Sequence, residues 1–258
     1  MQALAHAANP MKSVSLQVQR WVSQYAFRKT LELRGNQGVI SFSFDDAPKS
    51  ACQVGRQILE QHGCHGTWYL AGGLTDRLEQ GKPCHSIQDV RELIKGGHHI
   101  GCHTFSHSPC DQLTTGQMES ELNRNAEFLA GLGVPIPELH FSYPLGAYDL
   151  ASKRLASQRF ASTRTTSGGA HYKWADLNAL RAEKLYQHLM PRERLKRLVQ
   201  EVAFKKGWLI FYTHDIAVSP SQWGCAPDLL QYAISCAAAS GCQVLPINQA
   251  IRYWSEQH

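Results

Sequence analysis

The sequence predicts an α/β fold, a barrel of seven or eight strand–helix units preceded by an N-terminal helical extension. Three observations carry that expectation. From residue 38 onward, short β-branched and aromatic runs alternate with helical ones. No internal linker, low-complexity stretch or fixed-period repeat interrupts them, which favours one barrel over two domains. The length of 258 residues suits a single barrel. The expected division is an extension over residues 1–36 and a barrel over 37–258.

In the extension, Val14, Val18, Trp21, Val22 and Tyr25 recur at helical spacing among Lys12, Arg20, Arg28 and Lys29. Such a basic stripe either packs on the domain that follows or touches a membrane surface through residues 12–34. The barrel begins with VISFSF (39–44), a short β-branched and aromatic strand. Ser50 is placed to cap a helix carrying Ala51, Val54, Ile58 and Leu59, which stops near Gly63. TWYL (67–70) is the second strand. Ser86 and Asp89 form a capping pattern for a helix that Gly96-Gly97 ends. HIGCH (99–103) is the third strand. Thr114 and Gln117 cap a long helix bearing Met118, Leu122 and Leu129, closed between Gly131 and Pro135.

The second half repeats the pattern less cleanly. LHFSY (139–143) and FASTRT (160–165) read as strands around a helix near 149–158. ALRAEKL (179–185) is a strand or strand end. Pro191 starts a helix with Leu195, Leu198, Val199 and Val202 on one face. WLIFYTH (208–214) is the clearest strand, Pro227 opens a further helix, and CQVLPI (242–247) is the final strand. Strands separated by helices pair in parallel through right-handed crossovers. The chemistry of such barrels sits on the loops after the C-terminal strand ends.

Composition narrows the function classes. A formal charge of +5 without a clustered basic stripe is far from a nucleic-acid footprint, so no nucleic-acid partner is expected. No apolar run is long enough to span a bilayer. There is no G-x-S-x-G elbow and no phosphate-binding G-x-x-x-x-G-K-[ST] loop. Eight cysteines contain no C-x-x-C pair, and the first residues lack the apolar core of a secretory signal. The expectation is a cytoplasmic protein, peripheral at most to the inner membrane face, whose cysteines are thiols.

Three polar clusters fall at predicted strand ends. Asp45 and Asp46 follow the first strand directly. Neighbouring strand residues point to opposite faces, so both carboxylates reach one site only where the strand breaks, as Ala47-Pro48 allows. His103 and His107 form an i,i+4 pair that can hold one metal from a helical turn or a tight loop. Two imidazoles and one carboxylate suit zinc, and cobalt or nickel also fit. His214 ends the clearest strand and is oriented toward the barrel mouth. Each alone also fits a cap or a hydrogen-bonded core histidine; their joint occurrence on one barrel face favours chemistry.

These residues carry a resemblance. SFDDA is similar to the T-F-D-D-G motif of the polysaccharide deacetylases (the NodB-homology group, carbohydrate esterase family 4), and GCHTFSH to their H-[ST]-x-x-H motif. FSYPLG stands where that family has R-x-P-Y, and FYTHD resembles its L-x-H motif. The four occur in family order between residues 41 and 215. The resemblance implies a NodB-type deformed (β/α) barrel with one divalent ion held by Asp46, His103 and His107. It implies Asp45 as general base, His214 as general acid, and a backbone N–H at Leu145 facing the oxyanion. The expected activity is N-deacetylation of N-acetylhexosamine units in a bacterial exopolysaccharide or its lipid-linked precursor. An O-acetyl esterase, a small-amide hydrolase and a non-catalytic glycan-binding barrel are the alternatives.

Departures from the motifs matter. Ala47 replaces a glycine, a small change if its φ is negative. Ser142 stands in place of the arginine that orients the base, and Leu145 in place of the tyrosine. Arg181 is the candidate replacement for that arginine, with an ordinary surface ion pair as the alternative. Asp176 is the nearest candidate to polarise His214, since no D-x-x-D-W motif is present.

Overall fold

A computed structural model describes Ser23 and residues 25–79, 81–136 and 139–256. Its strands are β1 (Thr30–Glu32), β2 (Val39–Asp45), β3 (Thr67–Leu70), β4 (Leu78–Glu79), β5 (Lys82–Pro83) and β6 (His99–Cys102). The second half adds β7 (His140–Ser142), β8 (Ser162–Arg164), β9 (Trp174–Asp176), β10 (Glu183–Lys184), β11 (Trp208–Thr213) and β12 (Gln243–Val244). A π-helical turn, Ala51–Gly55, runs into α1 (Arg56–Gln61). Then come α2 (Ile87–Lys95), α3 (Thr115–Gly131), α4 (Leu150–Arg159), α5 (Arg192–Lys205), α6 (Pro227–Ala239) and α7 (Ile247–Ser255).

The main sheet is parallel throughout, in the order β10-β11-β2-β3-β6-β7-β8. The far edge of β2 is shared: β12 pairs at Val39–Ile40 and β3 at Ser43–Asp45. Irregular chain joins the two ends of the sheet. Thr163 N–H donates to Leu177 O (2.7 Å) and Leu180 N–H to Thr163 O (2.8 Å) beside β8, and the same segment continues into β10 beside β11. Short strands and this irregular seam make the barrel deformed.

Strand alternation divides two cores. Phe42, Phe44, Leu209 and Phe211 pack outward in the larger core with the helices. Val39, Trp208, Ile210, Tyr212 and Tyr69 belong to a second core on the opposite face. The latter face is lined with small residues where large ones must fit. A Cβ on Gly101 would come within 2.5 Å of the Tyr69 ring, so glycine is needed there for space. Ser41 and Ser43 are buried beside these side chains and find partners: Trp208 Nε1–H donates to Ser41 Oγ (2.9 Å), and Ser43 Oγ–H to Phe211 O (2.9 Å).

Both expected capping boxes form, Ser86 with Asp89 and Thr114 with Gln117. The Ser50 cap does not. Pro48 O instead accepts the Ala51 and Cys52 N–H groups, Ser50 is itself helical (φ −64°), and its hydroxyl accepts from Ile216 N–H. Several elements escape the sequence pattern, the β4–β5 hairpin among them. After the final strand the chain forms α7, and β1 pairs antiparallel with β9 against the barrel flank. Val14, Val18, Trp21 and Val22 of the predicted amphipathic stripe lie outside the described residues. Thr30–Glu32, within the same predicted extension, is strand. All eight cysteines are unbridged.

Candidate metal centre

Strand β2 ends at Asp45, and the next two residues turn left-handed: φ is 60° at Asp46 and 48° at Ala47. This break in the strand lets adjacent carboxylates serve one site. The sign of φ at Ala47 makes its departure from glycine substantial, since a Cβ disfavours that conformation. Both aspartates are buried, at 4% and 5% exposure.

The histidine pair sits on a tight loop after β6, with left-handed Thr104 (φ 56°) and His107 (φ 55°). Glu121 of α3 pins that loop by accepting from Phe105 N–H (3.0 Å), Ser106 N–H (2.6 Å) and Ser106 Oγ–H (3.0 Å). His107 Nε2 lies 3.0 Å from Asp46 Oδ1 and His103 Nε2 lies 3.5 Å from it. One donor atom from each of the three residues falls within 4.8 Å of the others. His103 Nδ1 lies 2.7 Å from Ser142 O. A carbonyl only accepts, so Nδ1 carries the proton and Nε2 keeps its lone pair for a metal.

The electrostatics suit a cation. Burial pushes the His103 pKa down to about 3 and lowers that of His107, keeping both imidazoles neutral. Burial also pushes Asp46 up to about 7. Asp46 Oδ1 is buried without a hydrogen-bond partner, an expensive arrangement for a carboxylate unless a cation neutralises it. Two bare imidazole nitrogens and one orphaned carboxylate oxygen fit a divalent ion of borderline softness, zinc first.

Asp45 is held differently. Arg164, wholly buried on β8, donates through Nη2 to both Asp45 oxygens and to Ser142 Oγ. Its guanidinium lies between the rings of Tyr69 (5.3 Å) and Tyr212 (4.8 Å). Burial alone would raise the Asp45 pKa; Arg164, with His103 and His214, outweighs it and holds the carboxyl below its ordinary 3.8. One aspartate is kept ionised while burial raises its neighbour toward neutrality.

His214 faces Asp46 from the other side, with Nε2 3.7 Å from Asp46 Oδ2. Its Nδ1 lies 3.2 Å from Trp223 O, whose main chain returns to the site after β11. Beside these groups opens a cavity of about 360 Å³, bounded by Glu79 and Lys82 of the β4–β5 hairpin and by Trp223. Leu145 lies in the turn after β7 in left-handed conformation (φ 57°), its side chain 66% exposed.

Two sequence expectations need correction. Arg181 does not orient Asp45. It alternates with Leu180 and Ala182, which pack in the same core as Tyr69 and Tyr212, so its side chain projects away and donates to Ala170 O. Asp176 does not polarise His214. Its Oδ1 accepts from Lys29 N–H (3.0 Å) and Asn178 N–H (3.0 Å), and Lys153 Nζ lies 3.5 Å from Oδ2. Both line a separate cavity of about 420 Å³ with Tyr148, Tyr172 and Trp174. Sequence reasoning missed Arg164: a cation inside the predicted strand 160–165 is a hint, but it gains its meaning only from register with Ser142 on the neighbouring strand. The Trp223 carbonyl left no signal, because any residue supplies one.

Residues 33–159 match the family model described as polysaccharide deacetylase. A bifunctional xylanase/deacetylase of Pseudobutyrivibrio xylanivorans is 24% identical over 91 residues, 35% of this chain. The matched stretches span only 14% and 19% of the lengths of two curated relatives. Among solved structures, the chitin deacetylase from the fungal pathogen Colletotrichum lindemuthianum has a TM-score of 0.59 at 16% identity, covering 85% of this chain and 89% of its own. A carbohydrate esterase family 4 pseudoenzyme from Bacillus anthracis has a TM-score of 0.56 at 12% identity, covering 84% and 66%. At such identities the likeness establishes the fold, and a deacetylase and a pseudoenzyme share it, so the chemistry must be argued from the residues. Residues 33–159 thus belong to the polysaccharide deacetylase family, and the chain has its NodB-type deformed barrel.

Proposed function

We propose that the protein is a metal-dependent hydrolase that removes N-acetyl groups from N-acetylhexosamine units of a bacterial exopolysaccharide or its lipid-linked precursor. The observation that carries this reading is the contrast between adjacent carboxylates. Asp46 Oδ1 is orphaned among two neutral imidazoles, while Asp45 is clamped as a carboxylate by Arg164. A binding module has no use for both.

Asp46, His103 and His107 would hold the ion, leaving coordination positions open. A divalent ion bound there would polarise the acetyl carbonyl and acidify a water. Asp45 then accepts the proton of the attacking water, and Arg164 keeps it oriented and ionised until that moment. The Leu145 N–H is assigned to the carbonyl oxygen as negative charge develops. His214, held through Nδ1, gives its Nε2 proton to the departing nitrogen, so water and amide become acetate and amine.

The test is acetate release from N-acetylglucosamine oligomers with bound metal quantified in the same preparation. Asp45→Asn is expected to keep the metal and lose at least about 100-fold in rate. Full activity in that variant would sink the mechanism. Turnover of O-acetylated sugars alone would make the protein an esterase, and glycan affinity without metal would make it a binding barrel.

A further inference from the structure

Asp46 and Ala47 form a consecutive left-handed pair. An aspartate tolerates this backbone because its short polar side chain bonds locally; alanine has no such help. Ala47 is wholly buried. Something outside the turn must therefore hold it in a conformation that its own Cβ disfavours.

His85 meets that requirement. It is fully buried, in the segment after β5, which pairs Cys84 antiparallel with Pro48. Its main-chain N–H donates to Ala47 O (3.1 Å), and its ring Nδ1 lies 3.2 Å from Asp46 O. Nδ1 must carry the proton, because a carbonyl only accepts. Nε2 is then free to accept the Thr75 hydroxyl, 3.1 Å away. Asp76 N–H in turn donates to His85 O (2.9 Å). One residue thus bonds both carbonyls of the left-handed pair and is itself fixed by the two neighbours Thr75 and Asp76.

We propose that His85 is a positioning residue for the metal turn. It stabilises the left-handed Asp46–Ala47 backbone that brings the Asp46 carboxylate to His103 and His107, and so sets the affinity for the divalent ion. The inference rests on the metal-site reading above and is independent of the sugar acted on. It also accounts for alanine at a position where glycine would need no support.

The test is zinc affinity of the full chain, by competition with a chromogenic chelator, for wild type, His85→Ala, Ala47→Gly and the double variant. His85→Ala is expected to weaken zinc binding about 10–100-fold, the range typical of residues that orient ligands. Ala47→Gly alone is expected to stay near wild type. In the double variant glycine adopts the left-handed backbone without help, so most of the lost affinity returns. A double variant as weak as His85→Ala overturns the inference, as does wild-type affinity in His85→Ala. Should His85→Ala not fold, Thr75→Val removes the hydroxyl holding the ring. It is expected to weaken zinc binding, with recovery on adding Ala47→Gly; unchanged affinity in Thr75→Val overturns the inference. A wild-type chain that binds no zinc overturns the metal-site reading and this inference together, whereas wild-type binding without rescue overturns this inference alone.

Discussion

Ser142 and Arg164 stand directly across from each other on β7 and β8, and the guanidinium that bonds the serine hydroxyl also holds Asp45. The family motif has its arginine at the position of Ser142; here the cation projects from the next strand at the same register. Side chains at matched register on neighbouring strands of one face enter the same layer of a barrel, so either position can supply the charge. Ser142 is small enough to leave the volume to Arg164, and its oxygen accepts one of the guanidinium's protons.

Removing that cation should therefore be costly. Arg164→Met leaves Asp45 buried without its partner, with an expected loss of about 3–5 kcal/mol. Urea unfolding measures it, and wild-type stability in the variant would contradict the pairing. Arg164→Lys should also fail, because an ammonium has no planar face to lie against the Tyr69 and Tyr212 rings and loses the Nη1–H bond to Thr165 O. The swap Ser142→Arg with Arg164→Ser should release acetate faster than Arg164→Ser alone, since it returns the guanidinium to the same layer.

Asp46 should show the opposite sign. Its carboxyl is raised to about 7 mainly by burial, so without a cation the ionised form is unfavourable near neutrality. Asp46→Asn is expected to raise the melting temperature of the chelated protein. It should also abolish the upward shift that added zinc is expected to give the wild type through binding to the folded state. Scanning both proteins with and without zinc decides the matter, and a zinc-induced shift that survives in Asp46→Asn would remove Asp46 from the ligand set.

How legible the molecule was depended on range. Strands β2, β3 and β11 could be read because their alternation and residue types are local properties of the chain. The histidine pair and the aspartates were readable for the same reason, each being a short motif at a strand end. Arg164 was not, because its meaning comes from register with Ser142, which lies 22 residues away and on another strand. Likewise β1 pairs with β9 across the chain, and three residues carry too little pattern to announce a strand. Arg181 misled because it sits on the right segment but on the wrong face, a distinction that shifts with one residue of register.

Gly101 offers a test of how tightly that layer is packed. The Cβ of Gly101→Ala would lie 2.5 Å from Tyr69 Cδ1 and 3.0 Å from His140 O. Tyr69 would have to move, and the Arg164 guanidinium lies against its ring. The expected cost is about 1–3 kcal/mol from overpacking. Acetate release should fall in proportion beyond any loss of folded protein, because Asp45 loses its orientation along with Arg164. A variant of wild-type stability and activity would show slack that the packing does not suggest.

The lower end of the barrel predicts an acid response of definite sign. His99 and His140 stack edge to face at 4.8 Å, His140 buried and His99 half-buried. His140 Nδ1 lies 2.7 Å from Ser162 Oγ. Burial, followed by Lys29 and Arg252, lowers His140 from 6.5 to about 4, and burial with His140 nearby lowers His99. The folded state thus resists protons that the unfolded chain accepts. Stability from this pair is complete above about pH 6.5 and is lost as pH falls toward 4. For His140 alone the loss over that window is about 3 kcal/mol. His98, His103 and His171 are depressed too and steepen the same slope, so bulk unfolding cannot assign it to one residue. Ring-proton NMR can. The His140 signals of the folded protein should stay in the neutral form well below the range in which an exposed histidine titrates. A His140 midpoint near 6.5 would show that water reaches the base of the barrel.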